Sequence, residues 1–99
     1  MKFLVISKAK HLVPPEVQFG LMDAINPWLA KFSANIEQVW GFAGIQGGGG
    51  ILNVNSLDEL DAIMASFPML ATSDVEVIPL VDLKASLERA KQAMATMGK

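Results

Sequence analysis

One histidine is the clearest candidate for chemistry in this sequence. His11 is the only histidine among the 99 residues, and histidine is the side chain whose ordinary pKa lies closest to neutrality. It lies between a predicted strand and a predicted helix, where a cleft can open, so it is the candidate catalytic residue for proton transfer. The same histidine, flanked by Lys8 and Lys10, also fits a solvated loop position with no catalytic role.

Two tryptophans and one glutamine are the candidates for binding a substrate. Trp28 and Trp40 offer apolar walls for a planar ligand, and Gln46 offers a neutral hydrogen-bond donor. Small-molecule sites typically combine such walls with a few polar groups. Each residue also fits an ordinary structural role, the tryptophans in the core and Gln46 at a solvated strand end.

The sequence gives no support for a metal, a nucleotide or another cofactor, and we expect none. With no cysteine and a single histidine, only scattered carboxylates remain, without the spacing of metal ligands. The four consecutive glycines at 47–50 have no adjacent lysine or hydroxyl residue, which a phosphate-binding loop requires. We interpret them as a turn between two strands, able to lie over a cleft.

Composition limits the remaining classes of protein. The chain is 52% hydrophobic and 18% charged with a net charge of −2, which excludes disorder and disfavours nucleic acid as a partner. No apolar run approaches the roughly 20 residues of a membrane-spanning helix, and the first residues do not form a signal peptide. We therefore expect one cytoplasmic domain over residues 1–99 that binds neither nucleic acid nor membrane.

Periodicity and capping signals predict the elements that would position these residues. Short apolar runs predict strands, and stripes at helical spacing predict helices. Pro27 predicts a kink or break near Asn26, Ser56 and Glu59 form a capping box, and Asp82 is a candidate N-cap. The predicted strands are 2–7, 36–46, 51–55 and 74–81, and the predicted helices are 14–32, 56–67 and 82–97.

This order predicts an α+β fold of the ferredoxin-like type, βαββαβ with an extra C-terminal helix. Two right-handed crossovers interlock into a four-stranded antiparallel sheet with both main helices on one face. The strands do not alternate between apolar and polar residues, so both faces of the sheet are apolar. Because the helices cover only one face, a second copy of the chain is expected to cover the other.

The central and C-terminal parts of the sequence resemble the muconolactone isomerase-like group of the dimeric α+β barrel superfamily. The resemblance covers roughly residues 36 to 83, and its motifs are mainly structural. It implies a ferredoxin-like monomer, a barrel-shaped homodimer or multiple of dimers, and a site in the cleft between sheet and helices. The matching residues are Trp40, Gly44, Ser56, Glu59, Leu60, Phe67, Pro68, Met69 and the strand from Val75 to Leu80.

Three departures from that group bear on the reaction. Where its isomerase carries an arginine, a glutamate and a tyrosine, this sequence has Gly41, Ile45 and Gln46. Moving a proton on a lactone needs a base and a group that stabilises the developing charge. The sequence thus disfavours muconolactone isomerisation itself.

Two functions remain open. The resemblance implies a cofactor-independent isomerase or oxygenase-type enzyme acting on a small apolar organic acid or lactone. The scarcity of titratable residues favours instead a non-catalytic module that binds a small ligand or assembles into oligomers.

Overall fold

The computed structural model describes residues 1–10 and 13–98. These residues form four strands and three α-helices, with a short 3-10 turn at Leu70–Thr72 before the last strand. In chain order the elements are β1 (Lys2–Ala9), α1 (Pro15–Lys31), β2 (Ile36–Gly41), β3 (Gly47–Asn53), α2 (Leu57–Ala65), β4 (Ser73–Leu80) and α3 (Leu83–Met97).

The four strands form one antiparallel sheet in the order β2-β3-β1-β4. This order confirms the predicted ferredoxin-like fold with an extra C-terminal helix. β4 is an edge strand, so Pro79, which cannot donate a ladder hydrogen bond, is tolerated there. The register pairs Phe3 with Leu52 and with Pro79, which puts these positions on one face of the sheet. α1 and α2 lie over that face, and we call the opposite one the open face.

The prediction that the four glycines form a turn is wrong. Gly47 to Gly50 begin β3 and pair with β1 along its whole C-terminal half. The turn lies earlier, at residues 42–46, where Gly44 has a φ of 90° that favours glycine. Phe42 N donates to Gly47 O at 3.0 Å and closes this turn. Pairing on both sides fixes the extended conformation, overriding the weak strand preference of glycine.

α1 also differs from its prediction. The helix begins at Pro15, as the proline pair predicted, but it runs unbroken through Pro27 to Lys31. An internal proline removes one backbone hydrogen bond, and a helix survives that loss when packing holds the next turn. Here Trp28 and Phe32 pack against the core, so the turn after Pro27 is held in place.

The core lies at one end of the domain, between the sheet and α2. Its buried members come from β1, β3, the residue after β3 and α2, whereas α1 contributes no buried residue. Only the C-terminal part of α1, with Trp28 and Phe32, packs against this cluster. The N-terminal half of α1 therefore overhangs the sheet. The buried core residues are Phe3, Leu52, Val54, Ile63 and Met64.

Side-chain caps fix the starts of α2 and α3. Ser56 Oγ accepts from Glu59 N at 3.1 Å, and Asp82 Oδ2 accepts from Ala85 N at 3.0 Å, as the sequence predicted. The Glu59 carboxylate accepts from Asn35 Nδ2 at 2.6 Å. It therefore ties α2 to the residue before β2 as well as lying in the first turn of the helix.

α3 projects from the domain. None of its residues is buried, and its apolar stripe is exposed, from 52% at Leu87 to 84% at Met97. The described chain therefore extends 61 Å along its longest axis, against 28 and 21 Å along the others. No helix in residues 1–10 and 13–98 is long and apolar enough to cross a membrane.

Candidate functional site

A cavity of about 510 Å³ lies between the sheet and α1. β1, β2 and β3 form its floor, and α1 forms its roof. Met64 and Phe67 close its inner end, next to the core. The roof residues are Gln18, Met22, Ile25 and Leu29. The cavity is large enough for a small organic ring, since ligand sites commonly measure about 300–1,000 Å³.

Small residues under the roof leave this space open. Gly48 and Gly50 pair with Ser7 and Val5, so the register places both glycines on the helix-covered face. The backbone here leaves little room for larger residues, because a Cβ at Gly48 would lie 2.5 Å from Trp40 O, and one at Gly50 2.5 Å from Gln38 O. The glycine strand therefore supplies a bare backbone floor where a side chain would otherwise fill the space.

Trp28 forms part of the inner wall of the cavity, and its role in substrate binding stays a prediction. Its Nε1 donates to Ser66 Oγ at 3.1 Å and more weakly to Ile63 O at 3.3 Å. Its ring packs against Phe67 at 5.1 Å and Phe32 at 5.7 Å between centroids. Trp28 thus has a structural role and also lines the cavity.

Trp40 borders the cavity, but its register places it on the open face. A bulge lies between Ile36 and Gln38, and an extra residue in a strand moves all following side chains to the other face. After the bulge, Trp40 pairs with Gly49, which pairs with Ile6 on the open face. Its side chain is 44% exposed there, so it can contribute to a sheet interface. Substrate binding by Trp40 stays a prediction.

Gln46 lies at the mouth of the cavity, in an exposed position at the end of the turn. Its carbonyl oxygen accepts from Ala9 N at 3.0 Å, which fixes the backbone beside the opening. Gln18 approaches from α1 and also lines the cavity. With Gln38 of β2, three neutral amides therefore lie in the lining, two on the sheet side and one on the helix side.

His11, the predicted catalytic residue, lies outside the described residues. Ala9, two positions before it, lines the cavity. Lys10 N donates to Thr72 O at 3.0 Å, so the chain is fixed on β4's side of the sheet at this point. A catalytic role for His11 stays a prediction.

Sequence reasoning missed two serines in the cavity wall. Ser7 and Ser73 are 9% and 6% exposed, and both line the cavity. Ser7 follows the apolar run at residues 3–6 in β1, which is a weak signal in the sequence. Nothing in the sequence indicates that Ser73 comes close to it, because the pairing of β1 with β4 brings them together.

The described lining of the cavity carries no charged side chain. Among residues 1–10 and 13–98, no three residues of the metal-ligating types lie close enough together to hold a metal ion. Glu37, whose pKa is lowered chiefly by a hydrogen bond from Lys2, lies outside the lining. Its carboxylate is 3.2 Å from Lys2 Nζ and also accepts from Asn53 Nδ2 at 3.0 Å. The site is therefore electrically neutral where it is described.

Comparison with solved structures shows which fold this is. Muconolactone isomerase superposes with a TM-score of 0.71 at 22% sequence identity, over 83% of this chain and 90% of that one. The chain has a muconolactone isomerase-like fold. The 5-chloro-2-hydroxyhydroquinone dehydrochlorinase of Burkholderia phenoliruptrix AC1100, solved with 2,5-dihydroxybenzoquinone, has the same fold. It gives a TM-score of 0.63 at 20% identity, over 86% of this chain and 98% of that one.

These likenesses confirm the resemblance at the level of fold. A scan against family models and a search of the curated proteins give no match. The activity of either neighbour is thus no more than a starting point for this chain.

Proposed function

We propose that this chain binds a small, mostly apolar organic molecule in the cavity under α1. The observation that carries the proposal is the cavity itself, about 510 Å³ in a domain of 99 residues. A void of this size would ordinarily be closed by packing, since protein interiors are dense. Here the overhanging half of α1 and the glycine floor keep it open. Both structural neighbours are named for reactions of small organic molecules, which supports the same class of ligand.

The residues that line the cavity favour binding of the ligand without its turnover. Proton transfer needs a titratable group within reach of the ligand, and the described lining offers amides, hydroxyls and apolar side chains. An isomerase or oxygenase-type reaction depends on His11, whose near neighbour Ala9 lines the cavity. Incubation of the chain with each bound compound decides between the two, since only an enzyme forms product, and replacement of His11 by Ala then tests the residue. Unchanged turnover of a ligand found to react would remove His11 from the mechanism.

A matched pair of substitutions on α1 tests binding. Ile25→Trp adds bulk at a position that lines the cavity, whereas Phe19→Trp changes a residue that is 66% exposed and outside the lining. A library of lactones, phenols, quinones and aromatic acids is screened by amide chemical shifts in NMR. We expect shifts at the cavity floor in the parent and in Phe19→Trp, and their loss in Ile25→Trp. Equal shifts in both variants, or no binding by any compound, would contradict the proposal.

We further propose that the open face of the sheet is covered by a second copy of the chain. No described helix packs over this face, and apolar surface of this extent on soluble proteins usually marks an interface. A two-fold interface brings the same patch of both copies together, and an apolar face can pack against its own copy. The apolar residues of the open face are Leu4, Ile6, Trp40, Ile51, Ile78 and Leu80, with the Phe42 ring beside Gly49.

Sedimentation at micromolar concentration tests this interface. The parent should show at least twice the chain mass of 10.6 kDa. Trp40→Glu should shift the mass towards the monomer or unfold the chain, because it places an unpaired charge in an apolar contact. Phe19→Glu, which changes an exposed apolar residue on α1, serves as the control. A folded parent monomer would exclude the interface.

A further inference from the structure

We infer that the cavity selects an uncharged ligand that presents a carbonyl or hydroxyl group to Ser7 and Ser73. This inference rests on the proposed binding function and adds the chemical class of the ligand. It follows from two features of the described residues. One is the pair of buried hydroxyls at one end of the cavity, and the other is the absence of charge from the described lining.

The two hydroxyls lie on neighbouring strands and on the same face. Ser7 pairs with Val75, and Ser73 pairs with Ala9 two positions further along. Diagonal neighbours of this kind on antiparallel strands lie about 7–8 Å apart, so the oxygen substituents of one small ring can reach both. Each hydroxyl can donate and accept, which suits a carbonyl, a phenol or a lactone.

Neither hydroxyl is used by the side-chain hydrogen bonds between described residues. Within the same residues, no side-chain polar atom sealed away from solvent lacks a partner. Both serines line the cavity, and no described group occupies their hydroxyls, so among the described residues the hydroxyls are available to a ligand. Gln18, Gln38 and Gln46 add three neutral amides to the lining.

Charged ligands lack a partner in this lining. Lys8 pairs with Asp74 across β1 and β4 and alternates with Ser7, so the register places it on the open face. Lys10 Nζ lies 3.7 Å from Asp74 Oδ1, and Lys10 is outside the described lining. A carboxylate in the cavity would lose its water and gain no opposite charge from these residues, which is unfavourable.

Two isosteric probes measure the selection. 2-Acetylnaphthalene and 2-naphthoate differ by a methyl group in place of a charged oxygen, and the acid is fully ionised at neutral pH. Their dissociation constants for the full chain are measured by calorimetry. We expect the ketone to bind at least about 100-fold more tightly, because burying an unpaired carboxylate costs several kcal/mol and each 1.4 kcal/mol is tenfold in affinity.

The double variant Ser7→Ala/Ser73→Ala tests the two hydroxyls. Loss of hydrogen bonds should weaken the ketone roughly 3–10-fold, with no change for naphthalene, which has no polar group. Ser86→Ala on α3, outside the lining, is the control. Equal weakening of naphthalene and ketone, or no weakening of either, would overturn the role of the serines.

The outcomes separate this inference from the proposed function. Binding of 2-naphthoate as tightly as the ketone would overturn the selection for neutral ligands and leave ligand binding intact. Failure of all three probes to bind, together with failure of the wider library, would remove the proposed function and this inference with it. The comparison of ketone and acid uses the unmodified chain, so it stands even where the double variant does not fold.

Discussion

The contact between Trp28 and Ser66 should account for a measurable share of the stability of the domain. Trp28 Nε1 donates to Ser66 Oγ at 3.1 Å, and Ser66 Oγ donates in turn to Ile63 O at 2.8 Å. Trp28→Phe keeps an aromatic ring beside Phe67 but removes the donor. A net hydrogen bond contributes about 1 kcal/mol, and the lost half of the indole about another 1 kcal/mol of apolar burial.

We therefore expect Trp28→Phe to lower the free energy of unfolding by about 2 kcal/mol, out of the roughly 5–15 kcal/mol typical of a domain. Ser66→Ala removes the acceptor and its own bond to Ile63, and should cost about 1–2 kcal/mol. Since one hydrogen bond is common to both variants, the double variant should cost less than the sum of the two by about 0.5–1 kcal/mol.

Urea unfolding followed by far-UV circular dichroism measures all four proteins. Protein concentration is kept constant, because self-association would make stability depend on it. Phe19→Leu is the control, since Phe19 is 66% exposed on α1 and lies outside both the cavity lining and the open face. A loss below about 0.5 kcal/mol for Trp28→Phe, or a coupling of zero, would refute the inference that this hydrogen bond secures the inner wall.

Three further predictions concern the ends and edges of the fold. Removal of residues 83–99 should reduce the oligomer size or the solubility, because the exposed stripe of α3 is expected to pack on a neighbouring chain; an unchanged number of copies in sedimentation would contradict this. Ser56→Ala should cost about 1 kcal/mol in urea unfolding by removing the α2 cap, whereas Ser86→Ala should cost little. The Lys2 hydrogen bond lowers the pKa of Glu37 below the ordinary 4.5, so this pair stabilises the folded chain above that pH and the contribution is lost as pH falls through the folded-state pKa. Glu37→Gln should thus lose less stability on acidification, and an identical pH profile would exclude the ion pair as a contributor.

The fold was largely predictable because local signals agreed with its topology. Ser56 and Asp82 marked the starts of α2 and α3, and both caps are present. The glycine strand was not predictable in this way, since four glycines carry no strand preference and only pairing with β1 and β2 extends them. Pro27 failed as a break because packing of the following turn outweighed one missing hydrogen bond.

The candidate site was predictable only in part. Trp28 follows from the helical stripe of α1, but the position of Trp40 depends on a single-residue bulge after Ile36. Without the bulge, Trp40 would share the face of Ile36, because strand side chains alternate. The pair formed by Ser7 and Ser73 depends on the pairing of two strands far apart in the chain, which no local pattern encodes.

The cavity under α1 also determines how the chain responds to hydrostatic pressure. Empty or loosely hydrated space disappears when a protein unfolds, so unfolding reduces the volume of the system and is promoted by compression. In this fold the space of about 510 Å³ lies to one side of the core cluster. Pressure should therefore first unfold the overhanging half of α1. The end of the domain that holds the core should unfold only at higher pressure. A ligand that fills the space would remove that volume difference. The overhanging half of α1 and the core end of the domain would then unfold at the same pressure.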